Sequence, residues 1–275
     1  MIQELIQSVA LPTTNVYFEN DSADGFAFLG AAKALLGLNA ELLCGMVRDR
    51  KYRLNAARKV KKTKVKVPED NVYVYTLWAS YELFAAVQSQ EDLVKIRDML
   101  KTIGFYPNGL IKYCTTEIHY GVPNAASAAA LLFAYYGDLD LVSDLVGWLR
   151  DAQKNGNWHY QNMKSGKVLP PEDPYHVAMI AYQLRELQRL HGIKTDDIVE
   201  HSIADLSQTN KREIDGGSIG WGVPMIYLAT IGLAPKLSRR AFRETTKSSI
   251  VHSNFRTRAI AAWALAKGLS YEQET

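Results

Sequence analysis

Asp173-Pro174-Tyr175-His176 is the part of this sequence whose residue types most readily do chemistry. A histidine beside a tyrosine and an aspartate can act as a general base with a tuned pKa. His159 and Tyr160 lie on the loop that precedes it. Asp173 also fits a simpler role: it stands where an N-cap would, and Pro174 suits the first helical position. A second group is His119, Tyr120 and Asn124, with Asn124 opening the small-residue run Ala-Ala-Ser-Ala-Ala-Ala-Leu-Leu-Phe. A third is His252, Asn254, Arg256 and Arg258. If Asn254 caps a helix, Arg256 falls in the first turn, where a cation opposes the helix dipole and needs an acidic partner or a ligand.

Pooled, these groups offer Asn124, His176, a tyrosine from Tyr120 or Tyr175, and Arg256. The inventory resembles the Asn–His–Tyr–Arg set of toroidal polysaccharide lyases. The resemblance implies β-elimination on an acidic polysaccharide. Asn and Arg would neutralise a uronate carboxylate and acidify the C5 proton, His or Tyr would remove it, and Tyr would protonate the leaving oxygen. Trp158, His159, Tyr160, Tyr120 and Trp221 are the expected substrate-binding residues, with the aromatics stacking on sugar rings. A hydrolase would instead need two carboxylates across a cavity, which Asp21 or Asp24 with Asp173 could supply. No cofactor and no metal is expected: the six histidines are scattered, with no His-x-x-x-His and no His–Cys cluster. The glycine-rich run from Asp215 to Gly220 follows a helical, charged stretch and reads as a tight turn.

The elements that must position these residues are helices. Apolar residues recur at three and four in Leu77, Tyr81, Phe84, Ala85 and in Leu141, Leu145, Trp148, Leu149. Only Val65–Pro68 and Val72–Tyr75 look β-like. The predicted helices are of two kinds. Gly25–Leu38, Val72–Val87, Pro123–Tyr136, Tyr175–Leu184, Gly222–Leu233 and Thr257–Leu269 are nearly free of charge. Ile2–Ala10, Asn39–Val60, Glu91–Ile103, Leu139–Lys154, Thr195–Gln208 and Ser238–Ser249 are amphipathic. A helix apolar all round must be covered on every side, whereas an amphipathic one faces water. Strict alternation of the two kinds therefore predicts an inner ring wrapped by an outer ring. The inner-helix starts at Asp21, Asn71, Asn124, Asp173, Trp221 and Asn254 are spaced by 50, 53, 49, 48 and 33 residues, a repeat signature. The expected fold is all-α, an α/α toroid of about six helical hairpins forming one domain over residues 1–275. Long Gly-, Pro- and aromatic-rich loops before the inner helices would gather at one end, around the cavity mouth.

A local motif points the same way. Trp148-Leu149-Arg150-Asp151-Ala152-Gln153-Lys154-Asn155-Gly156-Asn157-Trp158 resembles the glutamine–tryptophan repeat of terpenoid cyclases and protein prenyltransferases, one residue short between Gln153 and Gly156. Asp173-Pro-Tyr175-His176 is similar to the Asp-x-Tyr-His that opens an inner helix in prenyltransferase β subunits. The resemblance implies a toroid. Its chemistry does not carry over, because Asn20-Asp21-Ser22-Ala23-Asp24 lacks the acidic motif of the cyclases, and the zinc-binding Asp and Cys have no counterpart near Gly216-Gly217.

Composition sets the outer limits. Hydrophobic residues make up 47% and charged residues 22% of the 275, which excludes a disordered chain. Cys44 and Cys114 do not make a disulfide framework and read as reduced core thiols. The start of the chain shows no secretory signal, and Gly25–Val47 is too polar to span a membrane, so a cytoplasmic or otherwise non-secreted location is expected. The net charge is +3, yet Arg48–Lys66 holds ten cations and one acid, so the remainder sums to −6. That strip, with Lys59, Lys61, Lys62 and Lys64 at its centre, is a candidate site for a polyanion. Two readings result: a carbohydrate-active enzyme on an acidic polysaccharide, with elimination favoured over hydrolysis, and a non-catalytic interaction protein whose basic strip binds a partner.

Overall fold

The computed structural model describes residues 2–7, 9, 23–49, 72–115, 120–171, 174–208, 222–251 and 255–274. Among them the helices, in chain order, are α1 (Ile2–Gln7), α2 (Ala23–Leu35), α3 (Glu41–Asp49), α4 (Val74–Ala86), α5 (Gln90–Ile103), α6 (Pro123–Tyr135), α7 (Leu139–Ala152), α8 (Pro174–His191), α9 (Asp196–Gln208), α10 (Gly222–Thr230), α11 (Pro235–Val251) and α12 (Phe255–Glu274). The strands are β1 (Tyr120–Gly121), β2 (Gln153–Lys154), β3 (Asn157–Asn162) and β4 (Val168–Pro171). The expected alternation is present. α2, α4, α6 and α10 are apolar and almost wholly buried, whereas α3, α5, α7 and α9 bury one stripe and expose the rest.

Three of the apolar helices end alike, and the ending follows from the residues. After α2 and α6, Gly37 (φ 69°) and Gly137 (φ 79°) take the left-handed conformation. The amides of Leu38 and Asp138 then reach back to the carbonyls of Lys33 and Phe133, at 2.8 and 3.0 Å. These are Schellman closures. After α4 the same closure forms on Gln88 (φ 57°), with Ser89 N donating to Phe84 O at 2.9 Å.

The chain packs as two compact units. One comprises Met1–Met99, Cys114–Thr116 and Thr245–Thr275. Within it α2 packs against α4 and α12. Phe28, Trp78 and Trp263, one from each of these helices, meet with ring centroids 4.8 to 5.7 Å apart and are fully buried. Such aromatic pairs add about 0.5–1.5 kcal/mol each beyond their buried area. Buried Glu82 accepts from Trp78 Nε1 at 3.2 Å and pairs with Lys267 at 3.3 Å, so its charge is compensated. Cys44 and Cys114 are both buried and are not joined in a disulfide.

The other unit comprises Leu100–Tyr113 and Glu117–Glu244. Here α8 packs against α6, α9 and α10. A buried hydrogen bond from Ser127 Oγ to Gln183 Oε1, 2.6 Å, crosses from α6 to α8. The strands form one small antiparallel sheet in this unit, where no strand was expected. β3 is its centre: β2 pairs at its start, β1 at its end, and β4 along its second half. Asn155 (φ 52°) and Gly156 (φ 84°) join β2 to β3 as a two-residue hairpin turn of the primed kind. At the β3–β4 turn, Asn162 Oδ1 accepts from the amides of Lys164 and Ser165, and Gly166 takes φ 69°. Of the two segments expected to be extended, Val65–Pro68 lies outside the described residues. The second keeps only an isolated bridge, Tyr73 to Cys114, before α4 begins.

The glutamine–tryptophan motif proves to be a clamp. Gln153 Nε2 donates to Ile198 O (2.8 Å) and Ser202 Oγ (2.9 Å) of α9, tying the end of α7 to the next amphipathic helix. Trp158 Nε1 donates to Leu149 O at 2.9 Å, and its ring is fully buried.

Candidate functional site

α6 and α8 begin side by side in the second unit, and a cavity of about 310 Å³ opens there. Tyr113, Tyr120, Val122, Asn124, Tyr160 and His176 line it. Each residue is placed by local structure. Val122 is the residue before α6, Pro123 fixes the helix start, and Asn124 follows in the first turn. His176 sits in the first turn of α8, two residues after Pro174. Tyr120 is on β1 and Tyr160 on β3, and these strands pair through Tyr120–Asn162 and Gly121–Gln161. Tyr113 ends a short loop that folds back through a Phe105–Ile111 bridge, with Gly109 N donating to Tyr106 O at 3.0 Å. Tyr106 OH donates to Tyr120 O, 3.4 Å, joining that loop to β1. Gly121 is a close-approach point: a side chain there would meet Leu110 Cδ2 at 2.7 Å and Met163 Sδ at 2.9 Å.

The lining chemistry is three phenols, one carboxamide, one imidazole and one aliphatic group. Among these residues there is neither a carboxylate nor a permanent cation. Asn124 is only 8% exposed, and its side-chain oxygen is buried with no hydrogen-bond partner among the described residues. A buried acceptor left in this state costs about 1–3 kcal/mol, which a ligand hydroxyl would recover.

The structure brings Asn124, His176, Tyr120 and Tyr160 together on one cavity. Tyr175 stands beside them without lining the cavity. Its ring lies 4.1 Å from that of His176, and it packs on Gly222, where an added methyl would come within 2.6 Å of Tyr175 Cβ. His159 lies on a second cavity that shares Tyr160 with the first. Trp158, expected to stack on substrate, has no face open to one, because its ring is on the core side of β3. Arg256 is the other correction. Nε donates to Asp24 Oδ2 at 2.7 Å, the two side chains form an ion pair, and the guanidinium lies over the Tyr75 ring. Asp24 is fully buried and also accepts from Gly25 N. The acidic partner that Arg256 needs is therefore protein, and the pair belongs to the first unit. Asp24 is by the same token engaged as a counter-ion.

Asp173, Trp221, His119, Asp21 and Lys59, Lys61, Lys62 and Lys64 lie outside the described residues. Of the basic strip, Arg48 is described. It forms a fork with buried Asp92, at 2.9 and 3.1 Å, and reaches Glu41. No group of three potential metal ligands occurs among the described residues, and no helix there is long and apolar enough to cross a membrane.

Sequence reading missed Tyr113, whose place on the cavity is set by the turn at Pro107-Asn108-Gly109. That tripeptide is the signal that could have found it.

Solved structures share this fold. The GH76A alpha-1,6-mannanase from Salegentibacter sp. HEL1_6 matches with TM-score 0.60 at 12% identity, over 98% of this chain and 97% of that one. An inactive variant of it, in complex with alpha-1,6-mannotriose, matches with TM-score 0.62 at 14% identity and the same coverage. Rex8A from Paenibacillus barcinonensis, complexed with xylose, matches with TM-score 0.59 at 12% identity, over 90% of this chain and 81% of that one. No protein-family model matches the chain, and no curated protein does. At these identities the likeness is one of fold, and the fold is the expected one: an all-α, α/α toroid.

Proposed function

We propose that the protein is a glycoside hydrolase acting on a neutral oligosaccharide, with one sugar residue held in the cavity at the starts of α6 and α8. The observation that carries this reading is the uncharged, hydroxyl-rich lining with the buried, unpartnered oxygen of Asn124. Phenol rings offer faces to the C–H side of a sugar, and amide and imidazole meet its hydroxyls. The matched structures support it: one is an alpha-1,6-mannanase and another is complexed with xylose. The acidic substrate expected from sequence is less well served. A uronate carboxylate needs a cation, none of the described lining residues is a permanent one, and Arg256 is engaged by Asp24.

Hydrolysis needs an acid and a second carboxylate. Glu172 and Asp173 immediately precede α8, four and three residues before His176, and are the acids we assign to test. The absence of a carboxylate among the described lining residues favours one further reading, a toroid that binds a glycan without cleaving it. Incubation with α-1,6-linked mannooligosaccharides and with xylooligosaccharides, followed by reducing-end assay, separates these. Hydrolysis gives new reducing ends that Asp173→Asn or Glu172→Gln abolishes. Binding without product supports the second reading. An unsaturated product absorbing in the ultraviolet from a polyuronate, with neutral glycans left intact, overturns both.

A further inference from the structure

A second cavity, of about 340 Å³, adjoins the first at Tyr160, which lines both. Its chemistry is unlike a packing defect. Trp148, half-buried in the last turn of α7, supplies an aromatic wall. Around it stand Asn108 from the Pro107-Asn108-Gly109 turn, Asp151, Lys154, His159 and Gln161. Asp151, Lys154 and Asn108 are exposed. The one acid and the one permanent cation balance, so these two give the site no net charge. Its polar groups instead alternate in kind: Asp151 accepts, Lys154 donates, and Asn108 and Gln161 do both. His159 is oriented, with Nδ1 3.0 Å from Leu169 O. A carbonyl only accepts, so Nδ1 carries the proton and, in the neutral ring, Nε2 presents a lone pair. An aromatic wall ringed by mixed donors and acceptors suits a pyranose, whose C–H face lies on the aromatic ring while its vicinal hydroxyls meet the polar groups.

We propose that this second cavity is a further sugar-binding subsite, and that a linear neutral glycan crosses β3 at Tyr160, with one residue in the first cavity and the next against Trp148. The proposal rests on reading the first cavity as a sugar site. It gives the strands a purpose: β3 carries Tyr160 between the two cavities, with His159 and Gln161 on the second. β2 and β4 hold it in place. The primed Asn155-Gly156 turn keeps Lys154 at the rim.

The test is affinity against chain length. Xylose, xylotriose and xylohexaose, and the corresponding α-1,6-mannose series, are titrated calorimetrically into the full chain. The unaltered protein binds the hexasaccharide at least about tenfold more tightly than the monosaccharide, the increment of one or two net hydrogen bonds and a stacked ring. Asn108→Ala/Asp151→Ala, both exposed, removes that gain and leaves monosaccharide affinity unchanged. Trp148→Ala does the same; because its ring also packs 3.5 Å from the Gly121 position, it is read beside the double variant. Length-independent binding by the unaltered protein, or a gain that survives in the double variant, overturns the subsite while the first cavity stands. Failure of every saccharide to bind overturns the sugar reading itself.

Discussion

Arg256 shows how a residue's role is decided by what it touches. Its type and its place at a helix start suggested a group waiting for substrate. Its partner is Asp24, 232 residues away in the chain, and no spacing in the sequence announces a contact of that range. The Arg256 side chain is 12% exposed and that of Asp24 is 0% exposed, so the pair is held out of water. Removing one member of a buried pair strands the other and costs about 3–5 kcal/mol, whereas replacing both with apolar groups costs much less. Arg256→Ala is therefore expected to lower unfolding free energy by roughly 3 kcal/mol in urea, and Asp24→Asn/Arg256→Met to recover most of it. Loss of glycan turnover at unchanged stability would instead make Arg256 a catalytic residue. Trp158 teaches the same lesson: its residue type suggested a stacking platform, but β3 turns it inward, while Trp148, counted as one more apolar residue of α7, lines a cavity.

His191, at the end of α8, adds a pH dependence. Burial pushes its imidazole below the usual value, with Glu186 opposing, and its Nε2 is buried without a partner among the described residues. A depressed pKa means that the unfolded chain binds the proton more readily. The stability this confers is present above the unfolded pKa of about 6.5 and is lost as pH falls through the folded value. His191→Gln is expected to flatten the fall in urea midpoint between about pH 7.5 and about pH 5.5. An unchanged slope would show that His191 titrates alike in both states.

At the scale of elements, the helices were legible because their patterns are extreme. Six charge-poor stretches alternate with six amphipathic ones, and each carries a described helix, although α8 runs on to His191 past the expected end at Leu184, and the described α3 covers only Glu41–Asp49 of Asn39–Val60. The strands were not legible, although Asn155-Gly156 is a strong hairpin signal. Inside the glutamine–tryptophan motif the same two residues look like mere spacing between Gln153 and Trp158, which hides the turn. Two substitutions test the backbone account with opposite signs. Gln88 is exposed and takes the left-handed ending that Gly37 and Gly137 fill elsewhere, so Gln88→Gly is expected to stabilise by about 1 kcal/mol. Gly156 has φ 84°, and a Cβ there would lie 2.5 Å from His201 O and 2.9 Å from Asp205 Cβ. Gly156→Ala is expected to cost at least about 2 kcal/mol and to weaken glycan binding through β3. Thermal unfolding of the two variants checks both, and equal shifts would contradict the assignment.

For the whole molecule, the alternation of helix types and the near-50-residue repeat were enough to reach the α/α toroid. The substrate was not within reach of the same signals. Residue types at helix starts named Asn124, His176 and Tyr120, but charge in the cavity depends on which cations are already spoken for. Arg48 meets Asp92, and Arg256 meets Asp24. The described residues that line the cavity are uncharged and rich in hydroxyls, and the buried acceptor on Asn124 is the feature that most needs a ligand. Calorimetric titration of xylotriose and α-1,6-mannotriose into the unaltered protein and into Asn124→Ala tests this most directly. The account predicts binding of at least one neutral trisaccharide, a loss of about tenfold or more on Asn124→Ala, and a melting temperature that is unchanged or higher because a buried unpaired oxygen is gone. Binding that survives Asn124→Ala at full strength, or binding confined to uronate oligosaccharides, would contradict it.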